Sequence, residues 1–519
     1  MRLSTKNTSR FVSAVTIVAI VFSAAGVAGV ASAANSPDVL TISNPSLSLT
    51  FDTKLATLTV TDLRTSKVWN QGSNPGITVK GASMMPGLIK TSLFYSPLGL
   101  SIEATIQLLG DTPKFTVQLS GAGSMTGVLK FPNPFETGPG TYLVVPLNEG
   151  ISYPVDDASI PTLRFKAYAG MGLSMAFWGV TDGDAGMMAI IETPNDVRIR
   201  IDRYQPVPDL YQGNLYVAPE WEPEKGQFGY LRSLRYIFFD HGGYVAMCKE
   251  YRAYSQAIGL FKTLTQKLRE NPNVDRLVGA ADVWMVPPLA DTYSDQLVIA
   301  REMKGLGMQR ILWSNISPSP QLVPPSIIQA INDLGFLTSH YDNYVEVMDP
   351  ANSNVVYFPY WWPKEAWPND IVIGSDGQWV KGYAVKGRDG ITYSTGFESD
   401  QLALKYTPRI TEELKTLPYG ARFIDETTAV PWLEDYSPNH SLTRTESRQW
   451  RMALLQYVSQ QAGLVTGSET GIDAAVPCLH YFEGMLSLVP YRTNSGDTDS
   501  ILPAPPDQVT KFQVGYTYR

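Results

Sequence analysis

Ala421-Arg422-Phe423-Ile424-Asp425 and Gly463-Leu464-Val465-Thr466-Gly467-Ser468-Glu469 are two short, mostly apolar runs that each turn acidic at the last residue. They are too short for helices, and their flanking Gly and polar residues fit buried strands. Asp425 and Glu469 are 44 positions apart, room for a loop, a helix over Thr445–Gln461 and the next strand. Strand, crossover helix, strand makes a parallel pair. The two carboxyls then sit at the same end of neighbouring strands, which run roughly 4.8 Å apart.

The same alternation extends on both sides of this pair. Strands are expected at Leu277–Trp284, Arg310–Trp313 and Phe336–Tyr341, with a weaker one near Met485–Val489. Helices are expected at Ser294–Gly305, Pro325–Leu334 and Thr407–Thr416. Apolar strand starts with polar, aromatic or acidic ends predict a (β/α)8-type TIM barrel whose active site lies at the C-terminal strand ends. A doubly wound sheet is the rival, but no GxGxxG or P-loop opens any helix. Only six strands can be placed before Arg519, so the barrel over 277–519 reads as C-terminally truncated. Glu346–Leu404 is a long insertion dense in Trp and Tyr, read as a functional loop, a small packed subdomain, or both.

Upstream the periodicity changes. Ser46-Leu47-Ser48-Leu49-Thr50-Phe51 and Ala56-Thr57-Leu58-Thr59-Val60 alternate strictly, and similar short runs recur towards Arg235. That pattern predicts a β-sandwich over 34–240. Amphipathic stretches at Gly243–Ile258 and Leu260–Arg269 form a helical linker, 241–276, before the barrel. At the N-terminus, Arg2, Lys6 and Arg10 precede an apolar run from Phe11 to Ala31, and Ala31-Ser32-Ala33 offers a small-x-small cleavage pattern. Residues 1–33 therefore read as a signal peptide and the protein as secreted or on the extracellular surface, with no other membrane segment. A retained anchor is the rival reading, disfavoured by the Gly and Ala content and by the lack of basic residues after the run.

Composition narrows the function. Net charge is −8 with 17% charged residues, which gives no basic footprint for nucleic acid. Cys248 and Cys478 are too few for a disulfide framework and read as buried, unpaired thiols. His241, His340, His440 and His480 are isolated, so neither a metal nor another cofactor is expected. The 11% aromatic content suits neutral, ring-shaped ligands or simply large cores, and composition leaves that open. The expectation of an oligosaccharide, polysaccharide or glycoconjugate partner rests on the carboxylate pair and on the resemblance given below.

Glycosidases need two carboxyl groups flanking the scissile bond, about 5–5.5 Å apart for retention and about 6.5–9.5 Å for inversion. Asp425 and Glu469 on adjacent strand ends favour the short gap and are the catalytic candidates. Glu426 competes with Asp425, but successive strand side chains point to opposite faces, so only one is expected at the mouth. Asp282, Trp284, Trp313, Tyr341, Asp342 and Asn343 close other strands and are candidate substrate contacts, the acids and amide for hydroxyls, the rings for stacking. His480 and Tyr481, with Glu483, follow Glu469 in a loop expected to overhang the site. Glu446 opens a helix and suits its dipole.

The residues also carry a resemblance. Phe423-Ile424-Asp425-Glu426-Thr427-Thr428-Ala429, Tyr436-Ser437-Pro438-Asn439-His440, Leu442-Thr443-Arg444 and Val465-Thr466-Gly467-Ser468-Glu469 resemble the catalytic core of glycoside hydrolase families 101 and 129. The resemblance implies a sandwich-plus-barrel enzyme that cleaves α-linked N-acetylgalactosamine with retention. It implies Asp425 as nucleophile and Glu469 as general acid/base. Glu426 departs from the pattern after the nucleophile, and family members continue past the point where this chain stops. The expectation is an exported retaining α-glycosidase. The alternative is a non-catalytic carbohydrate-binding or cell-surface protein on a degenerate or truncated glycosidase scaffold.

Overall fold

The computed structural model describes residues 37–483 apart from 148–149, 169–171, 204–212, 286–292, 317–321, 354 and 357–362. The expected signal peptide and the strand near Met485–Val489 lie outside the described residues.

From Val39 to Phe239 every strand pairing is antiparallel. The strands form a four-stranded, a nine-stranded and a three-stranded sheet. Strict alternation explains how they bury: along Leu47–Asp52, Leu47, Leu49 and Phe51 are buried while Ser48, Thr50 and Asp52 stay half-buried. One apolar core is shared by all three sheets, from Leu49 and Val60 through Ile106 and Trp178 to Ile199 and Trp221.

The helix Gly243–Ala257 then lays Met247 and Tyr251 on Phe177, Ile190 and Ile237, the other face of the nine-stranded sheet. Leu264–Glu270 starts at a capping box, Thr263 with Gln266. Cys248 is exposed rather than buried, and Cys478 is buried; both are unpaired.

Six parallel strands follow in sequence order: Ala281–Met285, Ile311–Asn315, Leu337–Asn343, Ala421–Asp425, Val465–Glu469 and Tyr481–Glu483. They curl into a half-barrel, tightly enough that Asp282 on the first strand and Glu483 on the last hydrogen-bond through their side chains. Tyr481–Glu483 is thus the sixth strand, not an overhanging loop. Three residues are too short for periodicity to reveal, and the pairing of Gly467 with Tyr481 and of Glu469 with Glu483 defines it. At the base, Val274 packs on Leu312, Leu337, Ala421 and Val465. Helices Tyr293–Gly305, Pro325–Asp333 and Arg444–Gln456 lie in the crossovers, the last opened by a Thr443–Glu446 capping box. The insertion is a small packed unit: Glu346–Val347 pairs with Thr392–Phe397, which pairs with Lys381–Lys386. Val347, Ala366 and Ile371 make its core with Trp367 and Trp379.

Sheets and half-barrel are joined by buried polar contacts. Arg444 donates to Asp196 and to the Pro223 carbonyl, and the Tyr251 hydroxyl donates to Asp473. Asp196 is itself fully buried beside Arg232. Breaking such a network leaves a buried charge unpaired, at a cost of about 3–5 kcal/mol.

Candidate active site

Side chains alternate across a strand, so parity decides which face each residue takes. On the third strand Ser339, Tyr341 and Asn343 share the concave face, while Thr338, His340 and Asp342 share the convex one. On the fourth and fifth strands the concave set ends in Phe423 and Asp425, and in Gly467 and Glu469. Registry aligns Asn343 with Asp425, Ile424 with Ser468 and Glu469 with Glu483. Asn343, Asp425, Glu469 and Glu483 therefore form one layer across four adjacent strand ends. Below them Trp284 lies edge-on to Phe423 and Tyr341, at 5.2 and 6.4 Å between ring centres. Gly467 is required here, because a Cβ would meet the Tyr481 ring at 2.1 Å.

Two features bring further acids to this layer. Glu426 has φ +59, left-handed, so the chain breaks its alternation at that residue. Its side chain reaches the same cleft, where Asn343 Nδ2 donates to Oε2 at 3.1 Å. The neighbouring carboxylates of Glu346, Asp425 and Glu469 all act on it. The expectation that only one of Asp425 and Glu426 reaches the mouth is corrected: strand alternation stops where the strand stops. Thr470, after Glu469, has the same left-handed backbone at φ +59. Glu346 comes from the insertion and accepts from the Tyr383 N–H at 2.8 Å and from the Thr395 hydroxyl. The Thr428 hydroxyl donates to the Glu469 carbonyl, tying the ends of the fourth and fifth strands together.

The electrostatics follow from acids without cations. Among the described residues none of Asp282, Glu346, Asp425, Glu426, Glu469 and Glu483 forms an ion pair. Burial raises Asp425 to about 6, opposed by the Tyr341 hydroxyl, which donates to Oδ2 at 2.5 Å, and by the Glu426 N–H. Burial and the charge of Asp425 raise Glu469 to about 8. Burial, Asp282 and Asp425 raise Glu483 to about 9. Burial and three neighbouring acids push Glu426 well above the usual carboxylate range. Near pH 7 Asp425 is therefore the more readily ionised of the two and Glu469 the more readily protonated. One layer thus holds a more acidic and a less acidic carboxyl side by side.

Of the residues expected from the sequence, Asp425, Glu469, Asp282, Trp284, Tyr341, Asn343 and Tyr481 come together on the concave face. Asp282 accepts from Ser314 Oγ and Trp284 Nε1, each at 3.2 Å. Three do not join them. Trp313 is fully buried on the convex face, stacked on Phe336, with Nε1 donating to Gln296 at 3.2 Å. Asp342, 4% exposed, is clamped by Arg409 at 2.8 Å and Arg422 at 3.2 Å. Burial pushes its carboxyl up, but the two guanidiniums outweigh that and hold it below the usual range. His480 sits at the base of the sheet, where its Nδ1 accepts from the Thr466 N–H at 2.9 Å. Burial, then Lys267, lower it to about 4. All three have the wrong parity, or lie at the wrong end of the strand, to meet a ligand at the mouth. Glu346 was not anticipated; the one available signal was an acid three residues beyond Asn343. Among the described residues no group of three or more His, Cys, Asp or Glu is placed to hold a metal ion.

Residues 302–499 match the family described as glycosyl hydrolases related to the GH101 family, GH129, so the core of this chain is GH101/129-like. Among solved structures the fold is similar to that of the α-N-acetylgalactosaminidase NagBb from Bifidobacterium bifidum. In its ligand-free form the TM-score is 0.70 at 18% identity, covering 92% of this chain and 85% of that one. Its GalNAc complex gives 0.70 at 18% identity over 85% and 78%. No curated protein sequence matches the chain.

Proposed function

We propose that this chain is an exported retaining glycoside hydrolase acting on α-linked sugars of the N-acetylgalactosamine type. The observation that carries the proposal is the pair Asp425 and Glu469, side by side on adjacent strand ends and poised at about 6 and 8. Asp425 attacks the anomeric carbon as the bond to the leaving oxygen breaks, and Glu469 gives its proton to that oxygen. Water then attacks the glycosyl-enzyme, gives its proton to Glu469, and Asp425 departs as the carboxylate. Adjacent strand ends favour the short carboxyl spacing that retention requires. The matched family and the name of the similar enzyme support the sugar. The basic start, apolar run and Ala31-Ser32-Ala33 support export.

A panel of nitrophenyl α-glycosides, with NMR of the first-formed anomer, tests the reading. Turnover of an α-N-acetylgalactosaminide with retention is expected, and Asp425→Ala is expected to abolish it because no covalent intermediate can form. Azide on Asp425→Ala is expected to yield the inverted glycosyl azide. Glycan binding with no turnover of any glycoside in the panel would favour the non-catalytic carbohydrate-binding alternative.

A further inference from the structure

The two oxygens of Asp425 are not equivalent. Oδ2 accepts the Tyr341 hydroxyl at 2.5 Å, and Tyr341 is the one side chain among the described residues that donates to this carboxyl. The other titratable side chains around it are acids that its charge raises: Glu426 beside it, Glu469 and Glu483 from the next two strands, and Glu346 from the insertion. Tyr341 is rigidly placed. It is 7% exposed, one strand over and in register with Phe423, with its ring 6.1 Å from that of Phe423 and edge-on to Trp284.

We infer that Tyr341 is a positioning residue for the reaction proposed above: its hydroxyl holds Oδ2 of Asp425, commits Oδ1 to the anomeric carbon, and keeps Asp425 a competent leaving group. In the first step Oδ1 bonds to the anomeric carbon and the negative charge leaves the carboxyl, so the tyrosine bond weakens. In the second step water bonds to that carbon, the carbon–Oδ1 bond breaks, and its electron pair returns to a carboxylate that Tyr341 stabilises again. A hydrogen bond to the charged form favours that form. Without it, burial that raises Asp425 is opposed only by the Glu426 N–H, so Asp425 becomes more basic and departs more slowly.

Tyr341→Phe keeps the ring and its packing and removes only the hydroxyl. With carboxyl-labelled aspartate, and Asp425→Asn to assign the signal, carbon NMR should show the Asp425 midpoint rising by about one pH unit. The acid limb of kcat/KM should move with it. Enzyme trapped as a fluoroglycosyl intermediate should reactivate about tenfold more slowly, the effect of losing one hydrogen bond to a charged group. A 3-fluorotyrosine at position 341, a stronger donor, should move the midpoint the opposite way, and it serves if Tyr341→Phe fails to fold. An unchanged Asp425 midpoint in either variant, or an unchanged reactivation rate in Tyr341→Phe, would overturn the inference. A wild-type protein with no glycosidase activity would overturn the proposed reaction, and the NMR titration would still decide whether Tyr341 holds Asp425.

Discussion

Replacing Glu469 by glutamine keeps the shape of the side chain and removes its proton. Glu469 has its carboxyl raised from 4.5 to about 8, by burial and then by Asp425. The folded state therefore binds more protons than the unfolded chain between about pH 4.5 and 8, and the linkage relation makes stability fall as pH rises through that window. At pH 4 the acid is protonated in both states and costs nothing. At pH 7 it costs the fold on the order of 1–3 kcal/mol once screening at the solvent-facing side is allowed for. Glutamine removes that cost, so Glu469→Gln should melt about 1–3 °C higher at pH 7 and at the wild-type temperature at pH 4. Activity should change in a matching way. With Asp425 raised to about 6 and Glu469 to about 8, activity should peak near pH 7 and fall on both the acid and the alkaline side. Glu469→Gln should lose the alkaline limb and keep the acid one. It should retain turnover of nitrophenyl substrates, whose leaving groups need no proton, and lose about 10²–10⁴ on natural glycans. Differential scanning calorimetry at the two pH values and a pH–rate profile read both effects. An equal melting temperature at pH 7, or an alkaline limb that survives the substitution, would refute the reasoning.

Asp342→Asn tests the convex-face placement: with Arg409 and Arg422 left without their shared partner, stability should drop by about 3–5 kcal/mol, read by urea denaturation. KM of whatever protein remains folded should stay unchanged, whereas a substrate contact would raise it. Gly467→Ala forces a methyl against Tyr481 and should cost about 1–3 kcal/mol. It should also lower kcat by tilting the Glu469 strand end, and an alanine variant as stable and active as wild type would contradict the packing of that layer.

Much of this site was legible in the sequence, for a local reason. A strand that is apolar until its last residue announces a buried body and a functional end, and Asp425 and Glu469 follow from that pattern and from the spacing that admits one crossover helix. Tyr341, Asn343, Trp284 and Asp282 followed in the same way. Position along a strand carries no face, however, until the register is known. Trp313 and Asp342 lie at strand ends just as plausibly and face the helices, where Gln296 and two arginines had already claimed them. His480 was misplaced because Tyr481–Glu483 is too short to show a period, so loop and strand could not be told apart.

What the sequence determined by itself was the run of strands and helices and the identity of the two strand-end acids, because hydrophobic periodicity is a property of neighbours along the chain. What only the tertiary structure decided was the company those acids keep. Glu426 enters the cleft through one left-handed residue, Glu346 arrives from an insertion nearly eighty residues before Asp425, and Glu483 is set beside Glu469 by strand pairing. Burial raises both Asp425 and Glu469, and the charge of Asp425 raises Glu469 further, so the division of one carboxylate from one carboxylic acid exists only once the sheet has set the two side by side and partly buried them.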